Sequence, residues 1–111
     1  MNLKWEDHGV TCVVEVEGKL VGQASDALHR ACQERLAEGA RNLVIDVSNT
    51  PLVDSQGLEI LLGISESTIN ANGRCSLVAP DPVFMSILEL TGLQDRLEVH
   101  ESVTVAARTY R

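Results

Sequence analysis

What most constrains this chain is a change of hydrophobic period within residues 42–62. Leu43-Val44-Ile45-Asp46-Val47 is an apolar, largely β-branched run broken only by Asp46, the composition of a strand covered on both faces. A proline-containing loop follows, Ser48-Asn49-Thr50-Pro51-Leu52-Val53. From Ser55 the period is helical. Leu58, Leu61, Leu62 and Ser65 share one face, Ile60 and Ile64 lie on its flank, and Glu59, Gly63, Glu66 and Asn70 form an outward stripe. Either Asp54 or Ser55 can act as N-cap, because both side-chain oxygens can accept from the unpaired amides of a first helical turn. Ser55 therefore belongs at the positive end of a helix dipole and at the carboxyl end of a central strand, where open α/β sheets present functional groups.

The flanking segments supply the rest of such a fold. Residues 2–8 predict an edge strand, with Trp5 covering part of the core. Residues 10–17 alternate, Cys12, Val14 and Val16 on one side and Glu15 and Glu17 on the other, as a half-buried strand. From about Gln23 the period is helical again: Ala24, Ala27, Leu28, Ala31, Cys32, Arg35 and Leu36 share a face, and Gly39 supplies the stop. Asn72-Gly73 ends the second helix and Cys75-Ser76-Leu77-Val78-Ala79 reads as a third buried strand. Asp81-Pro82 opens a short helix with an oxygen acceptor at the cap and proline at its first position, and Gly92 closes it. Residues 97–100 predict a last strand and residues 102–110 a terminal helix carrying Val103, Val105, Ala106 and Ala107. The order β-β-α-β-α-β-α-β-α implies an α/β domain, 1–111, with a mixed central β-sheet, about four α-helices and right-handed crossovers.

Composition narrows the function. Nine basic against 16 acidic residues give a formal charge of −7, which opposes nucleic acid and anionic membrane surfaces and favours a basic or neutral protein partner. Cys12, Cys32 and Cys75 are odd in number, far apart and set in apolar surroundings, so they read as reduced core thiols of a cytoplasmic protein rather than as disulfides or metal ligands. His8, His29 and His100 lack metal-ligand spacing. No apolar run has the length of a signal-peptide core or a membrane span. A phospho-aspartate receiver would need a lysine late in the chain, and none follows Lys19. No glycine-rich phosphate loop or nucleophile–base–acid order points to catalysis, and no residue implies a cofactor.

From about Val10 to Ala107, and most specifically at residues 43–48 and 53–58, the chain resembles the STAS family, which includes bacterial anti-sigma factor antagonists and the cytoplasmic domains of sulfate transporters. The buried strand Leu43-Val44-Ile45-Asp46-Val47-Ser48 followed by Val53-Asp54-Ser55-Gln56-Gly57-Leu58 is similar to the family's Asp-Ser-Ser/Thr-Gly-Leu pattern. Gly18-Lys19-Leu20, Asn72-Gly73 and Leu90-Thr91-Gly92-Leu93 add to the likeness. Two positions depart from it: Val21 stands where antagonists usually carry an aspartate, and Gln56 where they carry serine or threonine. Neither removes the acceptor hydroxyl.

The resemblance implies a non-enzymatic binding protein whose Ser55 is phosphorylated by an anti-sigma factor that is also a serine kinase of the histidine-kinase-like ATPase type, with a serine phosphatase to reset it. It implies a contact surface of Asp54, Ser55, Gln56 and Gly57, Glu59 and Gly63 on the outward stripe, Asn49, Thr50 and Val53 in the loop, and Val21. A serine before a helix is by itself only a cap; the motif around Ser55 gives it the further role. The alternative is a constitutive STAS subunit of a lipid-transport complex at a membrane, which would use the same fold without the switch.

Overall fold

A hairpin opens the chain. β1, Asn2–His8, and β2, Thr11–Glu17, pair antiparallel from Asn2 opposite Glu17 to His8 opposite Thr11. Gly9 and Val10 make the turn, with Gly9 at φ +64°, the glycine-first arrangement of a tight hairpin. The computed structural model describes residues 1–109 and, in the last helix, side chains as far as Ala106.

Beyond β2 the chain alternates helix and strand: a 3-10 turn at Gly22–Ala24, then α1, Ser25–Ala37, β3, Asn42–Asn49, α2, Ser55–Asn70, β4, Cys75–Val78, α3, Pro82–Thr91, β5, Glu98–His100, and α4, Val103–Thr109. The five strands lie in the order β1-β2-β3-β4-β5. Only the first pair is antiparallel; β2 to β5 run parallel. The mixed α/β architecture predicted from the period changes is therefore the one observed. Tyr110 and the Ala107 side chain, expected in the last helix, lie outside what is described.

The near-continuous apolar run of β3 reflects its position at the centre. Leu43, Ile45 and Val47 point to the main core, with Cys12, Val14 and Val16 of β2, Leu28 and Cys32 of α1, Leu58, Leu61 and Ile64 of α2, and Phe84 and Leu88 of α3. Val44 points the other way, into a smaller cluster with Val78 and Ala106. Three helices thus cover one face of the sheet, and α4 covers part of the other, over β3, β4 and β5. On that second face Asn2, Lys4, Glu6 and His8 of β1 remain exposed.

Local expectations shift at three places. Leu3 reaches the main core, whereas Trp5 stays 48% exposed under the Arg35 guanidinium, 4.7 Å from its ring centroid. Trp5 is thus a cation–π platform at the sheet margin rather than a core lid. The first helix buries Ser25, Leu28 and Cys32, a narrower stripe than its alanines suggest. In α2, Ile64 is buried and Leu62 only half-buried, because the axis of the apolar face runs through Gly57, Leu61, Ile64 and Thr68.

Candidate functional site

The carboxyl end of β3 is fixed before α2 begins. Asp46 accepts the Ser48 amide (2.9 Å), and Thr50 turns inward, its amide bonded to the Val47 carbonyl (3.1 Å) and its hydroxyl donating to the Val16 carbonyl (2.9 Å). The loop then runs alongside the segment after β2. The Leu20 amide donates to the Leu52 carbonyl (2.9 Å), the Asp54 amide to the Leu20 carbonyl (3.3 Å), and Leu20 and Val53 form a parallel bridge.

Asp54 is the N-cap of α2, so Ser55 is its first helical residue. The two carboxylate oxygens of Asp54 have separate partners: Oδ1 accepts from the Gly57 amide at 2.9 Å and Oδ2 from the Gly22 amide at 2.8 Å. The first is a helix cap; the second ties α2 to the turn before α1. These amides, Gly57's first, hold the Asp54 carboxyl below its ordinary 3.8. With an amide on each oxygen and its carboxyl held low, Asp54 is a structural anion and a poor base for its neighbour.

Gly57 explains how the two segments come so close. A Cβ there would overlap the Leu20 carbonyl oxygen and lie 2.8 Å from Val53 Cγ2. Only glycine lets α2 start against Leu20.

Ser55 is exposed at the start of a 16-residue helix, and Gln56 and Glu59 beside it are exposed too. The Gln56 Oε1 reaches toward Gly22, 3.8 Å from where a Cβ on that glycine would be. Val21 and Asp54 are half-buried at the same rim. Gly63 lies two turns along, with nothing within 4 Å of the place a Cβ would take. Asn49 is exposed and its amide donates to Glu15 of β2 (3.3 Å).

Three residues expected in the contact surface are not available to it. Thr50 and Val53 are 1% and 4% exposed, and Gly57 is buried against Leu20, so all three build the platform from beneath. What the loop offers outward instead is Pro51 and Leu52, the latter 43% exposed. The sequence holds a clue to this. Leu52 and Val53 are adjacent apolar residues in a short extended loop, where only one of two neighbours can point inward. The Gly22 amide that completes the Asp54 cap was likewise missed, because the contact joins residues 32 apart.

The chain thus sets an exposed hydroxyl at a helix start, at the carboxyl end of a central parallel strand. The STAS domain family matches over residues 2–106, and the chain belongs to that family. Among solved structures it is similar to an anti-sigma factor antagonist from Mycobacterium paratuberculosis, with 29% identity over 97% of this chain and 92% of that one and a TM-score of 0.86. It is also similar to the anti-sigma factor antagonist SpoIIAA in its unphosphorylated form, at 19% identity, 98% and 96% coverage and a TM-score of 0.82. The phosphorylated form of SpoIIAA, a Bacillus cell fate determinant, matches at 20% identity, 99% and 100% coverage and a TM-score of 0.76. Among the described residues no helix is long and apolar enough to cross a membrane.

Proposed function

We propose that this chain is a cytoplasmic, non-enzymatic anti-sigma factor antagonist that sequesters an anti-sigma serine kinase while Ser55 is unmodified, and so regulates transcription. The carrying observation is the exposed Ser55 at the first position of α2, with its neighbour Asp54 already committed to capping. The kinase partner supplies ATP and the transfer chemistry; this chain supplies the acceptor and the docking face. That face comprises Ser55, Gln56, Glu59 and Gly63 with the rim residues Val21, Asp54, Leu52 and Asn49.

Phosphorylation adds about −1.5 to −2 charges at neutral pH. The helix start tolerates an anion, so the fold keeps its shape. The interface does not tolerate it. A dianion beside Asp54 and Glu59 has to be desolvated by any surface that fits the neutral hydroxyl, at a cost of several kcal/mol when no cation meets it. At about 1.4 kcal/mol per tenfold, that removes two or more orders of magnitude of affinity.

The test is binding of the candidate kinase to three proteins. Ser55→Ala is expected to bind as wild type but to stay bound in the presence of ATP, and Ser55→Asp to lose about 100-fold or more in affinity. Mass spectrometry of wild type after incubation with kinase and ATP should place a phosphate on Ser55. Equal affinities for wild type and Ser55→Asp would remove the switch and leave the constitutive-subunit reading.

A further inference from the structure

We propose that β1 is a self-complementary edge on which a second copy of this chain docks, the two β1 strands running antiparallel about a two-fold axis at Trp5. β1 is the outermost strand, seven residues long, and all of it but Leu3 is exposed. Such an edge carries unpaired backbone groups that another strand can take up.

The hairpin decides which groups those are. In a two-residue turn the flanking residues, His8 and Thr11, bond each other, and bonded and non-bonded pairs alternate from there. Asn2, Lys4, Glu6 and His8 therefore spend their N–H and C=O on β2. Leu3, Trp5 and Asp7 direct theirs outward.

A two-fold axis at Trp5 sets Trp5 against Trp5 of the second copy and Leu3 against Asp7, so every outward group meets a complementary one. The same axis sets Lys4 against Glu6, twice by symmetry, in the non-bonded pairs where facing residues approach most closely. Moving the axis to Lys4 or to Glu6 would put like charges opposite each other, which opposes pairing. The axis at Trp5 is thus the register that pairs all three outward residues, Leu3, Trp5 and Asp7, while setting no like charges opposite each other.

Both charged side chains are exposed, on the face of β1 opposite the one the three helices cover, and among the described residues no helix packs over them. Lys4 Nζ is already 3.0 Å from Glu17 Oε1, and an ammonium has three donors, so a second carboxylate can join without displacing the first. On the opposite face the two half-exposed Trp5 rings meet beneath their Arg35 guanidinium groups. The interface is one strand wide and each chain carries a formal −7, so the association is weak and concentration-dependent. It uses no residue of the Ser55 face, so the dimer presents two such faces.

Sedimentation velocity on the full chain tests this. At about 1 mM, a concentration that populates even a dimer of millimolar Kd, wild type is expected to show a reversible dimer. Asp7→Pro removes an outward N–H and none of the backbone bonds to β2, at the loss of one side-chain contact with Cys12, and is expected to be monomeric with an unchanged circular dichroism spectrum. Lys4→Glu and Glu6→Lys are each expected to be monomeric alone and to form a heterodimer when mixed. A monomeric wild type at that concentration, a dimer that survives Asp7→Pro, or a mixture of the two charge variants that stays monomeric would overturn the proposal.

Discussion

A single methyl group at residue 57 would collide with the Leu20 backbone and the Val53 side chain, neither of which can retreat without opening the Leu20–Val53 bridge. Gly57→Ala is expected to lose about 1–3 kcal/mol of stability, read as a lower denaturant midpoint, even though the residue lies in a helix where alanine is normally preferred. Asp54 gives a pH signature. Its carboxyl ionises below 3.8 in the folded chain, so its contribution to stability is complete above that value and disappears as pH falls through the lower folded value. Denaturation of wild type and Asp54→Asn between pH 7 and pH 3 should show the gap between them closing toward the acid end. Reading the sequence was enough to single out Asp54 and Ser55, because capping chemistry is local. It was not enough to separate Thr50, Val53 and Gly57 from the surface, since their burial depends on Val16 and Leu20, more than 30 residues away.

Helix α2 is capped well at its start and carries an outward glycine in its interior. Nothing lies within 4 Å of a Cβ at Gly63, so Gly63→Ala should stabilise the isolated chain by about 0.5–1 kcal/mol, checked as a rise of a few degrees in Tm. If α2 meets its partner across a flat face, the same substitution should weaken binding to the kinase, checked by titration calorimetry. The end of α2 shows how a correct boundary can rest on a partly wrong reason. Asn72, at φ +63°, takes the left-handed conformation there; Gly73 is needed because a Cβ would run into the Arg41 carbonyl oxygen. Asn-Gly reads as a stop in sequence, but which residue turns and which makes room depends on the neighbouring loop. The elements themselves were legible because their periods differ so plainly: two in β2, 3.6 in α2, and none in the doubly covered β3.

Across the whole molecule, burial on one side of the sheet governs reactivity. Cys12, Cys32 and Cys75 are free thiols enclosed in the main core. Burial pushes Cys12 and Cys75 up to about 12 and raises Cys32 as well, so the reactive thiolate is scarce at neutral pH. At about pH 8 a thiol reagent should label none of them in the native chain and all three after denaturation. Their apolar surroundings made this side of the fold readable in advance. The distribution of helices was not, because an alternating or continuous apolar pattern says that a face is covered without saying by which helix.

The spatial order of the strands is also their order along the chain. A polypeptide leaving the ribosome therefore never has to hold a gap open for a later segment: each newly made strand finds its neighbour already in place. This order lets the sheet be extended from the amino-terminal hairpin in one direction, without a later strand being inserted between two earlier ones.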